Sequence, residues 1–160
     1  FPPIIGWVIA TGQINYESIL MCLIIFVWTP PHFWALSIFS NNDYSKANIP
    51  MLMVVKGEKT TRKHIFYYSL ALSVITLFSS FTNIGGIFYL TSSILLNFYL
   101  IFLSLSLYRK KNNSDKNIFK NERKFFLFSI LYLFSHFSFI LLEAFLKKFN
   151  LVSLSLPSLL

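Results

Sequence analysis

Asp43 and Lys46 stand three residues apart in Asn41-Asn42-Asp43-Tyr44-Ser45-Lys46. On one helical turn that spacing presents an acid and a base together. A carboxylate at a polar surface suits Mg²⁺, a hard cation that takes oxygen ligands and is often shared with substrate phosphates. Lysine and arginine suit the phosphate oxygens themselves, and Lys46, Arg62 and Lys63 could surround such a group. Taken alone the pattern is also that of a solvated loop. A second candidate lies just upstream, where His32 follows Pro30 and Pro31 inside an apolar run and Trp28 precedes it by four residues, on the same helix face. Each proline removes its own N–H and displaces the carbonyl four residues back, here those of Phe26 and Val27. Two readings stand: a plain structural kink, or a bend that opens a cavity with Trp28, His32, Phe33 and Trp34 at its wall.

The elements that must position these residues are membrane-spanning helices. Apolar residues make up 55% of the chain and aromatics 19%, with only 12% charged, against about a quarter in soluble domains. Apolar stretches at 18–39, 65–82, 87–107 and 125–146 each approach the roughly 20 residues that a helical span requires. Lipid demands that every segment satisfy its own backbone, so the expected fold is all-α, a multi-span transmembrane bundle. The first stretch lacks the basic n-region and small-residue cleavage site of a signal peptide.

Basic residues place the connections. The segment 40–64 holds five and the segment 108–124 holds seven, so twelve of the fourteen lie in two loops, whereas 11–17 and 83–86 have none. Short loops rich in Lys and Arg stay in the cytoplasm, so both basic segments are expected there, with Asp43 delivered to the cytoplasmic face. The net charge of +8 then reflects orientation and attraction to anionic headgroups, and calls for no nucleic acid. The apolar run Pro50 to Val55 within the first basic loop suggests a segment folded back onto the membrane or over a cavity mouth. Asn83-Ile84-Gly85-Gly86 reads as a tight external turn whose glycines supply positive φ.

The chain opens Phe1-Pro2-Pro3 without an initiator methionine, which reads as the C-terminal part of a longer polypeptide, beginning in a partial or short span. Residues 1–146 are expected to form part of a single domain, and 147–160 an irregular tail. Cys22 reads as a small buried hydrophobe. His136 is expected to hydrogen-bond between helices, and Glu143 to reach the outer interface beside Lys147.

Four blocks carry a resemblance: PPIIGW, WTPPHFWALSIF, DYSKANIPML and TRKHIFYY, in that order between residues 2 and 68. The chain resembles the protohaem IX farnesyltransferase branch of the UbiA-type intramembrane prenyltransferases. The resemblance implies a UbiA-like bundle with more spans than this chain provides, around a cavity open to the cytoplasm and to lipid, in a bacterial cytoplasmic or mitochondrial inner membrane. It implies transfer of the farnesyl group of farnesyl diphosphate to a vinyl group of haem b, with Mg²⁺ held by two acidic motifs, and haem A synthase as a candidate partner. Asp43 then belongs to the second acidic motif. Tyr44, Lys46 and Arg62 fall where diphosphate and loop-ordering contacts are made, and His32, eligible also as a haem-iron ligand, lines the cavity with Trp34. Two departures matter. Position 47 is alanine where related enzymes often carry a second aspartate, and the first Asp-rich motif would precede Phe1. A relative acting on a quinone or chlorophyll precursor, and a transporter or structural subunit with His32, His136 and Glu143 as a polar path, are the alternatives.

Overall fold

A computed structural model describes residues 2–110 and 119–149. Six helices follow one another: α1 (Pro2–Thr11), α2 (Tyr16–Phe39), α3 (Asn41–Lys46), α4 (Leu52–Ser79), α5 (Ile87–Arg109) and α6 (Lys120–Lys148). No strand occurs among the described residues. Helix α2 packs on α4 and α6, and α5 packs between those same two, closing an antiparallel ring of four. Helix α1 packs on α2. Among the described residues α2, α5 and α6 are long and apolar enough to cross a membrane, and the expected all-α bundle is observed.

The second of the four expected spans differs from expectation. The helix expected at 65–82 runs instead from Leu52 to Ser79, so much of the expected loop 40–64 is helical. Its first turn and a half survives because Met53 packs against the bundle core. A break at Gly57, with φ +77° and ψ 173°, separates that piece from the rest. Such a φ strains any residue that bears a Cβ. Lys56, Glu58, Lys59, Arg62 and Lys63 lie around the break, while the apolar part that completes the ring begins at Ile65.

Hydrophobicity is arranged outward. Phe98, Phe134, Leu95, Leu141 and Val74 are exposed, whereas Ser69, Ser73, Thr76, Ser93, Asn97 and Ser129 are buried. Lipid replaces water at the outer face, so burial of apolar area no longer selects what goes inside; small residues do, because they let backbones approach. Several of their hydroxyls turn back on their own helix, Ser69 donating to the Ile65 carbonyl at 2.8 Å and Ser73 to the Ser69 carbonyl at 2.8 Å. Between helices, Tyr132 donates to Asn97 Oδ1 at 2.7 Å, and Asn97 Nδ2 donates to Thr76 Oγ1 at 3.0 Å. That triad ties α4, α5 and α6 at mid-bundle.

The turn after α4 corrects a second expectation. Neither Gly85 nor Gly86 has positive φ; Gly86 is extended, with φ −177°. Both are required by close approach instead. A Cβ on Gly85 would stand 2.5 Å from the Ser80 Cα, and one on Gly86 would stand 1.9 Å from a Glu143 carboxylate oxygen. Around this turn Glu17 accepts from Asn83 Nδ2 at 2.9 Å, Lys147 Nζ donates to the Asn83 carbonyl at 3.0 Å, and Glu143 accepts the Tyr89 N–H at 3.2 Å. Glu143 is therefore buried as the anion at the N-terminus of α5, where the helix dipole favours it, rather than extended to the interface.

Candidate functional site at the basic end of the bundle

Helix α3 is a single short turn and a half that buries none of its residues. The Asp43 N–H donates to the Ser40 carbonyl at 3.1 Å, and the Ala47 N–H to the Asp43 carbonyl at 3.1 Å. Asp43 and Lys46 thus lie on one helical piece, as their spacing predicts, and both are exposed, with Tyr44 half-buried between them. Lys63 is exposed on α4, its Nζ 5.9 Å from the centre of the Tyr67 ring.

Arg62 is placed differently. It is 3% exposed, and its guanidinium is engaged by the carboxylates of Glu58 and of Glu122, the latter at 2.6 Å. Nη1 also donates to the Lys110 carbonyl at 3.4 Å. Lys110 Nζ reaches both oxygens of Glu122 at 3.1 Å. These residues draw the start of α4, the end of α5 and the start of α6 into one ion cluster. Glu58 was legible as the partner four residues before Arg62. Glu122 lies 60 residues from Arg62 in the chain, and no local pattern joins them.

The aromatic candidates divide between two neighbours. His32 is buried and sandwiched between Trp28, ring centres 4.4 Å apart, and Phe126 of α6, 4.5 Å apart. Its Nδ1 lies 2.7 Å from Ser129 Oγ. That hydroxyl donates to the Phe126 carbonyl at 2.6 Å, and a hydroxyl has one proton to give, so the network assigns the proton of this bond to His32 Nδ1. Trp28 Nε1 donates to the Ser129 carbonyl at 2.8 Å. Trp34 instead turns toward α4, edge-on to Tyr68 at 5.0 Å and to His64 at 5.8 Å. Trp28, His32 and Trp34 therefore do not share one cavity wall among the described residues; the helix continues through Pro30 and Pro31, and His32 takes the role of interhelical hydrogen-bonder.

His136 was expected in that role and does not fill it. It is fully buried against Tyr89 and Tyr132, ring centres 5.5 Å and 4.4 Å away. Neither ring nitrogen has a hydrogen-bond partner among the described residues. Cys22 is a half-buried free thiol. An apolar cleft of about 540 Å³, lined by residues including Pro3, Trp7, Met21, Ile84 and Ile140, lies toward the opposite end from α3.

Among the described residues no group of three or more His, Cys, Asp or Glu side chains is placed to hold a metal ion. Asp43 offers one hard oxygen donor of the class Mg²⁺ prefers, which is too few for a site built from these residues alone.

The family model described as the UbiA prenyltransferase family matches residues 1–130. A protohaem IX farnesyltransferase of Ruegeria sp. (strain TM1040) is 46% identical over 152 residues, covering 94% of this chain and 49% of that protein. Proteins with the same name from Ruegeria pomeroyi and Cereibacter sphaeroides are 45% and 44% identical over the same share of this chain. The chain spans about half the length of the curated relatives it matches. No solved structure matches the chain.

Proposed function

Since the chain belongs to the UbiA prenyltransferase family, we propose that it forms part of an intramembrane enzyme that joins haem b to the farnesyl group of farnesyl diphosphate, giving haem O and diphosphate. The observation that carries this reading is the 43–46% identity, over 94% of the chain, to proteins named for that transfer. In this reading the basic end faces the cytoplasm, or the matrix of a mitochondrion, where the diphosphate substrate is dissolved, and the bundle lies in the inner membrane.

The residues divide the work by charge and place. Asp43, exposed on α3, would be this chain's ligand to Mg²⁺, which when bound would neutralise the leaving group's charge. Lys46 and Lys63 meet the remaining diphosphate oxygens as mobile point charges, and Tyr44 donates from between them. The allylic C–O bond breaks with its electron pair leaving on diphosphate. The vinyl carbon of haem attacks the resulting cation, and water then adds to the new cation and loses a proton. The other carboxylates of the clamp come from the part of the relatives' length that this chain does not span.

The test is haem extraction and chromatography from membranes carrying the intact polypeptide or its Asp43→Asn variant. Haem O is expected from the first and is expected to be lost from the second, with the amount and helicity of the protein unchanged. Undiminished haem O in the variant would overturn the assignment of Asp43. A prenylated quinone in place of haem O would overturn the substrate.

A further inference from the structure

Asp43 and Lys46 sit on the segment 40–57, and nothing within that segment is buried. Exposed charges on a short helix are not held by their own packing, yet a substrate clamp requires its groups to be held near the productive geometry. Within the segment Met53 packs against the bundle core, well after α3, and further contacts hold the segment at both of its ends.

At the far end the chain turns at Gly57, then re-enters the helix at Glu58. Thr61 Oγ1 donates back to the Gly57 carbonyl at 2.8 Å. One turn on, Arg62 is clamped by Glu58 and by Glu122 of α6. Glu122 has no exposed surface and also receives Lys110 through both its oxygens. At the near end Phe39, the last residue of α2, lies under the guanidinium of Arg123, 5.6 Å from its carbon to the ring centre. Phe39 also meets Phe126 edge-on at 5.6 Å. Adjacent residues in the first turn of α6 therefore engage the chain on either side of the segment that bears Asp43.

We propose that Glu122 is a positioning residue, which through Arg62 fixes the Gly57 end of segment 40–57 while Arg123 on Phe39 fixes the other. Arg62 in this arrangement orders the segment and is not itself a diphosphate ligand, because its guanidinium is already committed to two carboxylates. Opposite charge, a buried setting and direct geometry make these bonds stronger than surface pairs, and removing one partner leaves a buried charge exposed to the loss. A helix that closed the bundle alone would need no such pair of contacts on its first turn. The inference rests on the proposed function for what Asp43 does, but not for whether the segment is held.

The experiment uses the intact polypeptide in detergent, comparing wild type with Glu122→Gln, Glu122→Asp and Arg123→Ala. Amide hydrogen exchange is read separately for peptides from 40–57 and from 90–105. Glu122→Gln is expected to speed exchange in 40–57 about tenfold, a local opening rather than a global one, with 90–105 unchanged and Glu122→Asp intermediate. The KM for farnesyl diphosphate is expected to rise by about the same factor with kcat changed less, since ground-state placement of the diphosphate is what is lost. If Glu122→Gln does not fold, Arg123→Ala carries the test, with faster exchange expected in 40–50. Unchanged exchange in the segment, or an equal rise in 90–105, overturns the proposal. A wild-type protein that makes no prenylated haem overturns the proposed function and leaves the exchange result to decide this one.

Discussion

Replacing Gly86 by alanine tests whether Glu143 acts as the anion at the head of α5. The new Cβ would stand 1.9 Å from Oε1, 2.3 Å from Cδ and 2.9 Å from Cγ of Glu143, so the whole carboxylate must move. The backbone adds no penalty, because φ at Gly86 is −177°, an extended value open to any residue. The cost is therefore the loss of what Glu143 does in place. Its bond from the Tyr89 N–H at 3.2 Å involves a charged acceptor, a class worth about 1.5–3 kcal/mol. The dipole interaction at a partly buried helix end adds about 0.3–2 kcal/mol. A destabilisation of about 2–4 kcal/mol follows, measured by equilibrium unfolding of the intact polypeptide in mixed micelles. The decisive comparison is a double-mutant cycle with Glu143→Ala, which vacates the space. In that background Gly86→Ala should cost under about 0.5 kcal/mol, giving a coupling of about 2 kcal/mol or more. Additive single effects would show that Gly86 and Glu143 do not exclude one another, and would refute the capping argument.

His136→Phe should stabilise the bundle by about 1 kcal/mol, since it deletes two buried nitrogens that have no partner among the described residues and keeps the ring between Tyr89 and Tyr132; a loss of stability in the same unfolding assay would show that those nitrogens are satisfied. Ser129→Ala should cost about 1–2 kcal/mol, because it leaves the buried His32 Nδ1–H without its acceptor. The imidazole proton resonance of His32 would report that loss directly, and an unshifted resonance would contradict the assigned bond.

The two histidines show where reading along the chain stops. Spacing correctly put Trp28 and His32 on one face, and their rings stack at 4.4 Å. The same reasoning put His136 and Glu143 on one face of the last helix, and both are buried. Spacing says which residues share a face and nothing of what that face meets, and a helix turned by one residue rotates its whole surface by about 100°. So the interhelical bond falls to His32, which finds Ser129 on α6, while His136 meets the rings of two tyrosines. In a soluble protein the apolar stripe would settle the rotation, but here lipid and core are equally apolar, and the buried serines and threonines carry little signal of their own. Charge was legible at the scale of loops for a different reason: the bilayer sorts lysines and arginines by side, which places Asp43 with Lys46 at the basic end without knowledge of any contact. The same coarse field hid Arg62. Counted among five basic residues of one loop it reads as a candidate phosphate ligand, and only the meeting of α4, α5 and α6 makes it the centre of a buried cluster with Glu58 and Glu122. A site in such a bundle is thus read from its exposed charges, and the residues that hold it are read from the packing.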